Sequence, residues 1–343
     1  MPIIECVPNF SEGQNPAVIE KIASSIREVE GVQLLHVDPG FSAHRTVMTF
    51  VGEPEAVVEA AFRAIRTAAA EIDMRRHKGT HPRMGATDVC PLVPIQDISL
   101  EEVVAYAQKL GERVGRELGI PVYLYEAAAS QPHRRNLAAV RSGEYEGWAE
   151  KIKDPAWQPD FGPASYNAKA GHTVIGARPF LVAYNLNLNT RSVPLANAVA
   201  FDIREIGRVK KIDGETVRDE QGKALRIPGT CPGVKAIGWY IEEYGIAQVS
   251  TNVTDLDRSA LHEVFEAGRA AARKRGLRVT GSELIGLIPE RALLEAGRFY
   301  LERQGGESVD KDELFHIATR TLGLAELGPF GPRKRIIELA AGV

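Results

Sequence analysis

After Pro16, the apolar residues Val18, Ile19, Ile22 and Ile26 recur at helical spacing, which predicts a helix over 15–29. Residues 2–7 before it read as a strand. After it comes the apolar run VQLLHV (32–37), closed by the turn signal Asp38-Pro39-Gly40, and then the β-rich run RTVMTFV (45–51). A long amphipathic helix is expected over 54–72 and a strand over 89–95 beyond an irregular loop, giving the order βαββαβ. A further helix (100–118) and strand (121–125) follow.

The second half repeats that order. Strands are expected over 180–188, 234–241, 247–253 and 280–288, and helices over 193–206 and 259–275, the latter with Asp257 as its N-cap. More helices follow Pro289 and Lys311. This is the element order of a ferredoxin-like split βαβ unit. The expected fold is α+β: two ferredoxin-like βαββαβ subdomains in tandem with extra helices, each sheet covered by helices on one face. The subdomains are drawn at 1–178 and 179–343, within the reach of a 343-residue chain.

Charge changes little. Lys and Arg total 42 against 45 Asp and Glu, so no basic excess points to nucleic acid. No window of 18 apolar residues exists, and the N-terminus lacks a basic stretch followed by an apolar run, so neither membrane nor secretion is expected. The three cysteines, Cys6, Cys90 and Cys231, are scattered without metal or disulfide spacing and read as reduced thiols in a cytoplasmic protein.

Two stretches interrupt the regular pattern. Residues 154–179 are rich in Pro and Gly and also hold Trp157, Phe161, Tyr166 and Lys169. A linker and a ligand-lined cleft fit this composition equally. Residues 207–229 are highly charged and read as a solvated hairpin or insertion.

The densest candidate chemistry lies in MRRHKGTHPRMGATDVCPLVP (74–94). Gly79, Pro82 and Gly85 prevent a regular helix, so His77 and His81 do not reach metal-ligand spacing, and no metal is expected. The loop instead presents an imidazole, the natural acid–base group at neutral pH, and flanking Arg favours its neutral form. An ordinary surface histidine is the plainer alternative. The turn joining the second and third strands brings Asp38 near Arg45, either as a mutual ion pair or to orient a substrate or histidine. Asn9, Ser11 and Glu12 at the end of the first strand either cap the first helix or line a ligand site. No nucleophile-elbow, P-loop, dinucleotide or zinc-protease motif occurs.

The motifs Glu5-Cys6-Val7-Pro8-Asn9-Phe10-Ser11-Glu12-Gly13, His81-Pro82-Arg83-Met84-Gly85-Ala86, Asp88-Val89-Cys90-Pro91, Asp160-Phe161-Gly162-Pro163 and Gln248-Val249-Ser250-Thr251-Asn252 resemble those of glutamate formimidoyltransferases along essentially the whole chain. The likeness is to the formiminotransferase portion of the bifunctional formimidoyltransferase-cyclodeaminase, and the chain reads as a monofunctional form. The resemblance implies a homodimer of two-subdomain chains and transfer of the formimino group of N-formimino-L-glutamate to tetrahydrofolate, in histidine degradation. It places the catalytic histidine at His81 and the folate segment at Gly162, Pro163, Ala164, Ser165, Tyr166, Asn167, Ala168, Lys169, Ala170 and Gly171. On chemistry and turn placement, Asp38 is expected to orient His81, and Arg45, Arg83 and Asn9 to bind substrate. Lys169 is expected to attract the polyglutamate tail of folate. Formyl transfer, from N-formylglutamate or 5-formyltetrahydrofolate, is the competing enzymatic reading, and a non-catalytic folate-binding protein the competing class.

Overall fold

Pro8 lies at a break in the first strand of the chain, between β1 (Ile3–Cys6) and β2 (Asn9–Phe10). The structure is a computed structural model describing residues 1–342, in two units, Met1–Phe180 and Leu181–Val343. The first unit continues with α1 (Pro16–Arg27), β3 (Val32–Gly40), β4 (Arg45–Gly52), α2 (Pro54–Glu71), β5 (Thr87–Gln96), α3 (Leu100–Leu118) and β6 (Val122–Glu126). Two short helices, α4 (Leu137–Arg141) and α5 (Glu144–Lys151), precede β7 (Thr173–Ala177).

Local signals set the helix starts. Asn15 accepts from the Ala17 N–H ahead of Pro16, and Ser99 and Glu102 form a reciprocal capping box at α3. The broken first strand lies between β4 and β5, antiparallel to both, and β3 pairs with β4 on the outside. This is the ferredoxin-like sheet, with the first strand central. β7 extends it parallel to β5, and β6 lies parallel to β7 beyond.

Residues 173–177 correct the reading of 154–179 as a junction: every residue of β7 is buried inside the sheet. Side chains alternate across this end. Cys90, Leu92, Val122, Leu124 and Ile175 join the core under α1, α2 and α3. Val89, Tyr123, Tyr125 and Val174 pack instead against Val140, Trp148 and Ile152. The parallel end is therefore covered on both faces, the usual state of parallel strands, and the expectation of helices on one face fails there.

The second unit runs β8 (Val182–Leu188), α6 (Val193–Ile203), four two-residue strands β9 (Arg208–Val209), β10 (Lys211–Ile212), β11 (Glu215–Thr216) and β12 (Arg226–Ile227), then β13 (Val234–Ile241), β14 (Ile246–Val253), α7 (Leu261–Arg273) and β15 (Val279–Ile285). Helices α8 (Glu290–Arg303), α9 (Lys311–Leu322), α10 (Pro332–Arg335) and α11 (Ile337–Ala341) follow. The sheet order β13-β14-β8-β15, antiparallel throughout, again puts the first strand inside. The charged stretch 207–229 forms two small antiparallel ladders. Asp257 does not cap α7. The helix starts at Leu261, with Glu263 accepting from the Ala260 N–H, and Asp257 pairs with Arg291.

Among the described residues no helix is long and apolar enough to cross a membrane. Cys6, Cys90 and Cys231 are unbridged and buried.

Candidate active site

Residues 72–86 join α2 to β5 without regular structure, and hydrogen bonds to neighbouring segments fix their course. The Thr80 N–H and hydroxyl both donate to the Ser42 carbonyl in the β3–β4 turn. His77 Nε2 donates to the His44 carbonyl in the same turn (2.8 Å), and the two rings meet edge to face. His44 takes φ +47°, a left-handed conformation rare for a non-glycine residue, immediately before Arg45. The Ser11 hydroxyl donates to the Gly85 carbonyl (2.7 Å). The Ala86 N–H donates to Ala170 (2.8 Å) and the His172 N–H to Met84 (3.2 Å), which ties the loop to the segment 162–171.

The loop delivers His81 to Arg45 at the start of β4. Arg45 donates to His81 Nε2 at 2.6 Å, and Nδ1 donates to the Pro82 carbonyl at 2.7 Å. The imidazole is therefore a neutral Nδ1–H tautomer. Burial, then Arg45 and Arg141, hold its pKa well below the ordinary histidine value, against a smaller upward pull from the Pro82 bond. Burial and Arg141 bring even Arg45 down to about 10, while Asp88 and Asp38 act in the other direction. The turn thus places Asp38 where its charge bears on Arg45. Asp38, expected to orient His81, has this electrostatic link to Arg45, which itself holds the ring.

Arg141 and Asp88 escaped the sequence reading as site residues. Arg141, on α4, grips the fully buried Asp88 of β5 through Nε (3.2 Å) and a second, shorter bond through Nη2. Asp88 also accepts from the Met84 N–H at 3.0 Å and so holds the loop C-terminal to His81. The only signal was Asp88 inside the Asp-Val-Cys-Pro motif. Nothing in the order of residues tied it to Arg141, 53 positions on.

Other expected residues have partners within the chain. Arg83, expected to bind substrate, is buried and already engaged: Nε donates to His77 Nδ1 (3.3 Å), and its terminal nitrogens bind Glu144 and Glu146 of α5. Its guanidinium anchors the loop. Asn9 donates to the Val7 carbonyl (3.0 Å), spanning the break between β1 and β2. Lys169 is exposed and donates to the Ala70 carbonyl (2.8 Å) in the last turn of α2, a helix-capping contact.

Within 162–171, Gly162, Pro163, Ala164 and Ser165 are exposed, while Ala170 and Gly171 are buried against the loop. Tyr166 lies between Tyr145 and His172. Asn167 accepts from the Ala170 N–H, and the Ala168 carbonyl accepts from the Tyr145 hydroxyl. His172, fully buried and stacked on Trp148, has no hydrogen-bond partner on either ring nitrogen. Burial, then Lys151, lowers its pKa to about 4. Among the described residues no group of three or more His, Cys, Asp or Glu side chains could hold a metal ion.

Two ferredoxin-like units in tandem, the first holding a desolvated, neutral histidine against a guanidinium in a loop tied to the segment 162–171, are the class of protein that the fold and the candidate site define. The family models sharpen that class. Residues 3–178 match the formiminotransferase domain, N-terminal subdomain, and residues 183–341 match the formiminotransferase domain. The chain is 43% identical to glutamate formimidoyltransferase from Streptococcus pyogenes serotype M1, over 88% of this chain and 93% of that one. It is 41% identical to the protein of that name from Thermoplasma acidophilum, over 89% and 94%. It is 47% identical to rat formimidoyltransferase-cyclodeaminase, over 98% of this chain and 59% of that protein's length. The chain belongs to the formiminotransferase family.

Proposed function

We propose that the protein transfers the formimino group of N-formimino-L-glutamate to tetrahydrofolate, giving 5-formiminotetrahydrofolate and L-glutamate in histidine degradation. The observation that carries the reading is the neutral His81, held in a loop hydrogen-bonded to the segment 162–171, in a chain 43% identical to a glutamate formimidoyltransferase. The division 1–178 and 179–343 belongs to this reading as the two formiminotransferase subdomains. Scattered thiols support a cytoplasmic setting, and the family resemblance a homodimer.

The folate segment fits its ligand chemically. The rings of Tyr145, Tyr166 and His172 group beside this segment, and the half-buried Tyr166 offers an aromatic face to a heteroaromatic ring. Bound tetrahydrofolate supplies the N5 amine that attacks the formimino carbon, so no covalent Ser or Cys is needed. His81 Nε2 takes the amine proton as the new C–N bond forms, and the imidazolium returns it to the departing glutamate nitrogen. Such acid–base work contributes about a hundred- to ten-thousand-fold. Arg45 holds a substrate carboxylate, and fixing both substrates together contributes on the order of 7–11 kcal/mol.

The test is an assay of formiminoglutamate consumption dependent on tetrahydrofolate, run alongside N-formylglutamate and a folate-binding measurement. Folate-dependent consumption of formiminoglutamate supports the reading. Preference for the formyl donor, or binding without turnover, replaces it.

A further inference from the structure

The one basic lone pair of neutral His81 is already engaged. Nδ1 carries its hydrogen toward the Pro82 carbonyl, one residue away in the same loop, and Nε2 accepts from Arg45 at 2.6 Å. For His81 to act as a base, the Arg45 bond must open. We propose that Arg45 masks the His81 base in the ligand-free protein, and that a carboxylate of the incoming donor draws Arg45 away and exposes Nε2. This rests on the transferase reading above and adds a rule of specificity: the base becomes available only to a carboxylate-bearing donor.

The surroundings of Arg45 supply the physical reason. Its neighbours bring charge from several elements: Arg141 on α4, Asp88 on β5 and Asp38 on β3. Asp88 is already occupied by the two-point grip of Arg141 and by the Met84 N–H. Arg45 is therefore a desolvated guanidinium beside a second one, bonded to a neutral imidazole. A two-point bond to a carboxylate pairs opposite charges and engages two guanidinium N–H groups, whereas the bond to the imidazole is single and its acceptor is neutral. An anion thus outcompetes the imidazole for Arg45, and a neutral ligand does not. The same move places the positive charge of Arg45 on the substrate and takes it off the ring. Nε2 loses the Arg45 bond and becomes more basic at the moment a proton must be accepted.

The first experiment reads His81 without turnover, by ¹⁵N NMR of the imidazole across pH. In the parent protein L-glutamate, which carries the carboxylates but no formimino group, should raise the His81 pKa by about one pH unit or more. Arg45→Met should raise it without glutamate, and glutamate should then add nothing. Arg45→Gln, which keeps a polar side chain and loses the charge, carries the same test if the Met variant does not fold. The second experiment uses formamidine, a donor without a carboxylate. Transfer from formamidine should be slow in the parent and should be stimulated by acetate but not by chloride at equal ionic strength. In Arg45→Met it should no longer respond to acetate.

A His81 pKa unchanged or lowered by loss of Arg45 overturns the masking, as does formamidine transfer indifferent to acetate in an otherwise active enzyme. Absence of transfer from formiminoglutamate in the parent overturns the functional reading instead. The Arg45 variants in the NMR arm still decide whether the base is masked.

Discussion

Gly85 and Gly171 face each other so closely that a Cβ on Gly171 would stand 2.6 Å from the Gly85 Cα and 2.3 Å from the Met84 carbonyl oxygen. This bridge joins the His81 loop to the proposed folate segment, and Gly171 also takes φ +69°. Gly171→Ala should cost about 1–2 kcal/mol from the left-handed backbone alone and more from the close approach. Turnover and folate binding should fall together, because both segments shift. Thermal denaturation and a folate-binding titration of the variant check this. A fall in turnover at parental folate affinity would separate the two segments and contradict the coupling.

His81→Ala should lower turnover by two or more orders of magnitude and leave folate affinity nearly unchanged, since proton transfer is lost while the rest of the site survives. His77→Ala should act differently. His77 accepts from Arg83 and donates to the His44 carbonyl, so its loss should appear mainly as a lower melting temperature. Steady-state kinetics beside melting curves separate the two histidines. A collapse of turnover in His77→Ala without loss of stability would make it a partner in the chemistry.

Arg83→Met should destabilise the protein by about 2 kcal/mol or more, because the bonds to Glu144, Glu146 and His77 are lost together. If Arg83 only anchors the loop, formiminoglutamate KM should change far less than in Arg45→Met. Urea unfolding and KM determination give both quantities. A large KM increase at parental stability would return Arg83 to substrate binding.

Stability should fall as the solution becomes acidic. His172 has a folded pKa of about 4, and burial also lowers the pKa of His77 and His81. An unfolded histidine takes its proton near pH 6.5, so below that value the unfolded chain binds more protons than the folded one. The His172 contribution is fully present above pH 6.5 and is lost as pH falls toward 4. His172→Phe should keep the stack on Trp148 and flatten the melting-temperature profile between pH 6.5 and 4. Parallel profiles for variant and parent would show that His172 is not the titrating group.

Lys169→Ala should trim stability by about 0.3–1 kcal/mol through loss of its bond at the C-terminal end of α2. Affinities for mono- and polyglutamyl folate should change equally. A selective loss for the polyglutamyl form, shrinking with added salt, would show that the ammonium also reaches the folate tail.

Much of the fold was legible. Both βαββαβ runs follow from helical spacing and strand-like runs, and the observed strands Arg45–Gly52 and Thr87–Gln96 extend the expected 45–51 and 89–95 by no more than two residues at either end. The strand Thr173–Ala177 was missed because TVIGA, buried on both faces, shows no alternation and sits among glycines and prolines. The short helices α4 and α5 were missed as well, and with them the elements that carry Arg141 and Glu146.

By itself the sequence determined the doubled order of elements, the loop that holds His81, and the motifs that carry the family resemblance. These are local properties: spacing, breaker residues and contiguous words of sequence. Only the tertiary structure decided which charged groups meet. Arg45 and His81 lie 36 positions apart, and Asp88 and Arg141 lie 53 apart. Arg83, adjacent in sequence to the histidine loop's centre, is turned toward Glu144 and Glu146 of α5. Side-chain partners depend on sheet register and on which face a helix covers, and both are set by packing across the whole unit, so no local pattern could reveal that Arg45 occupies the base.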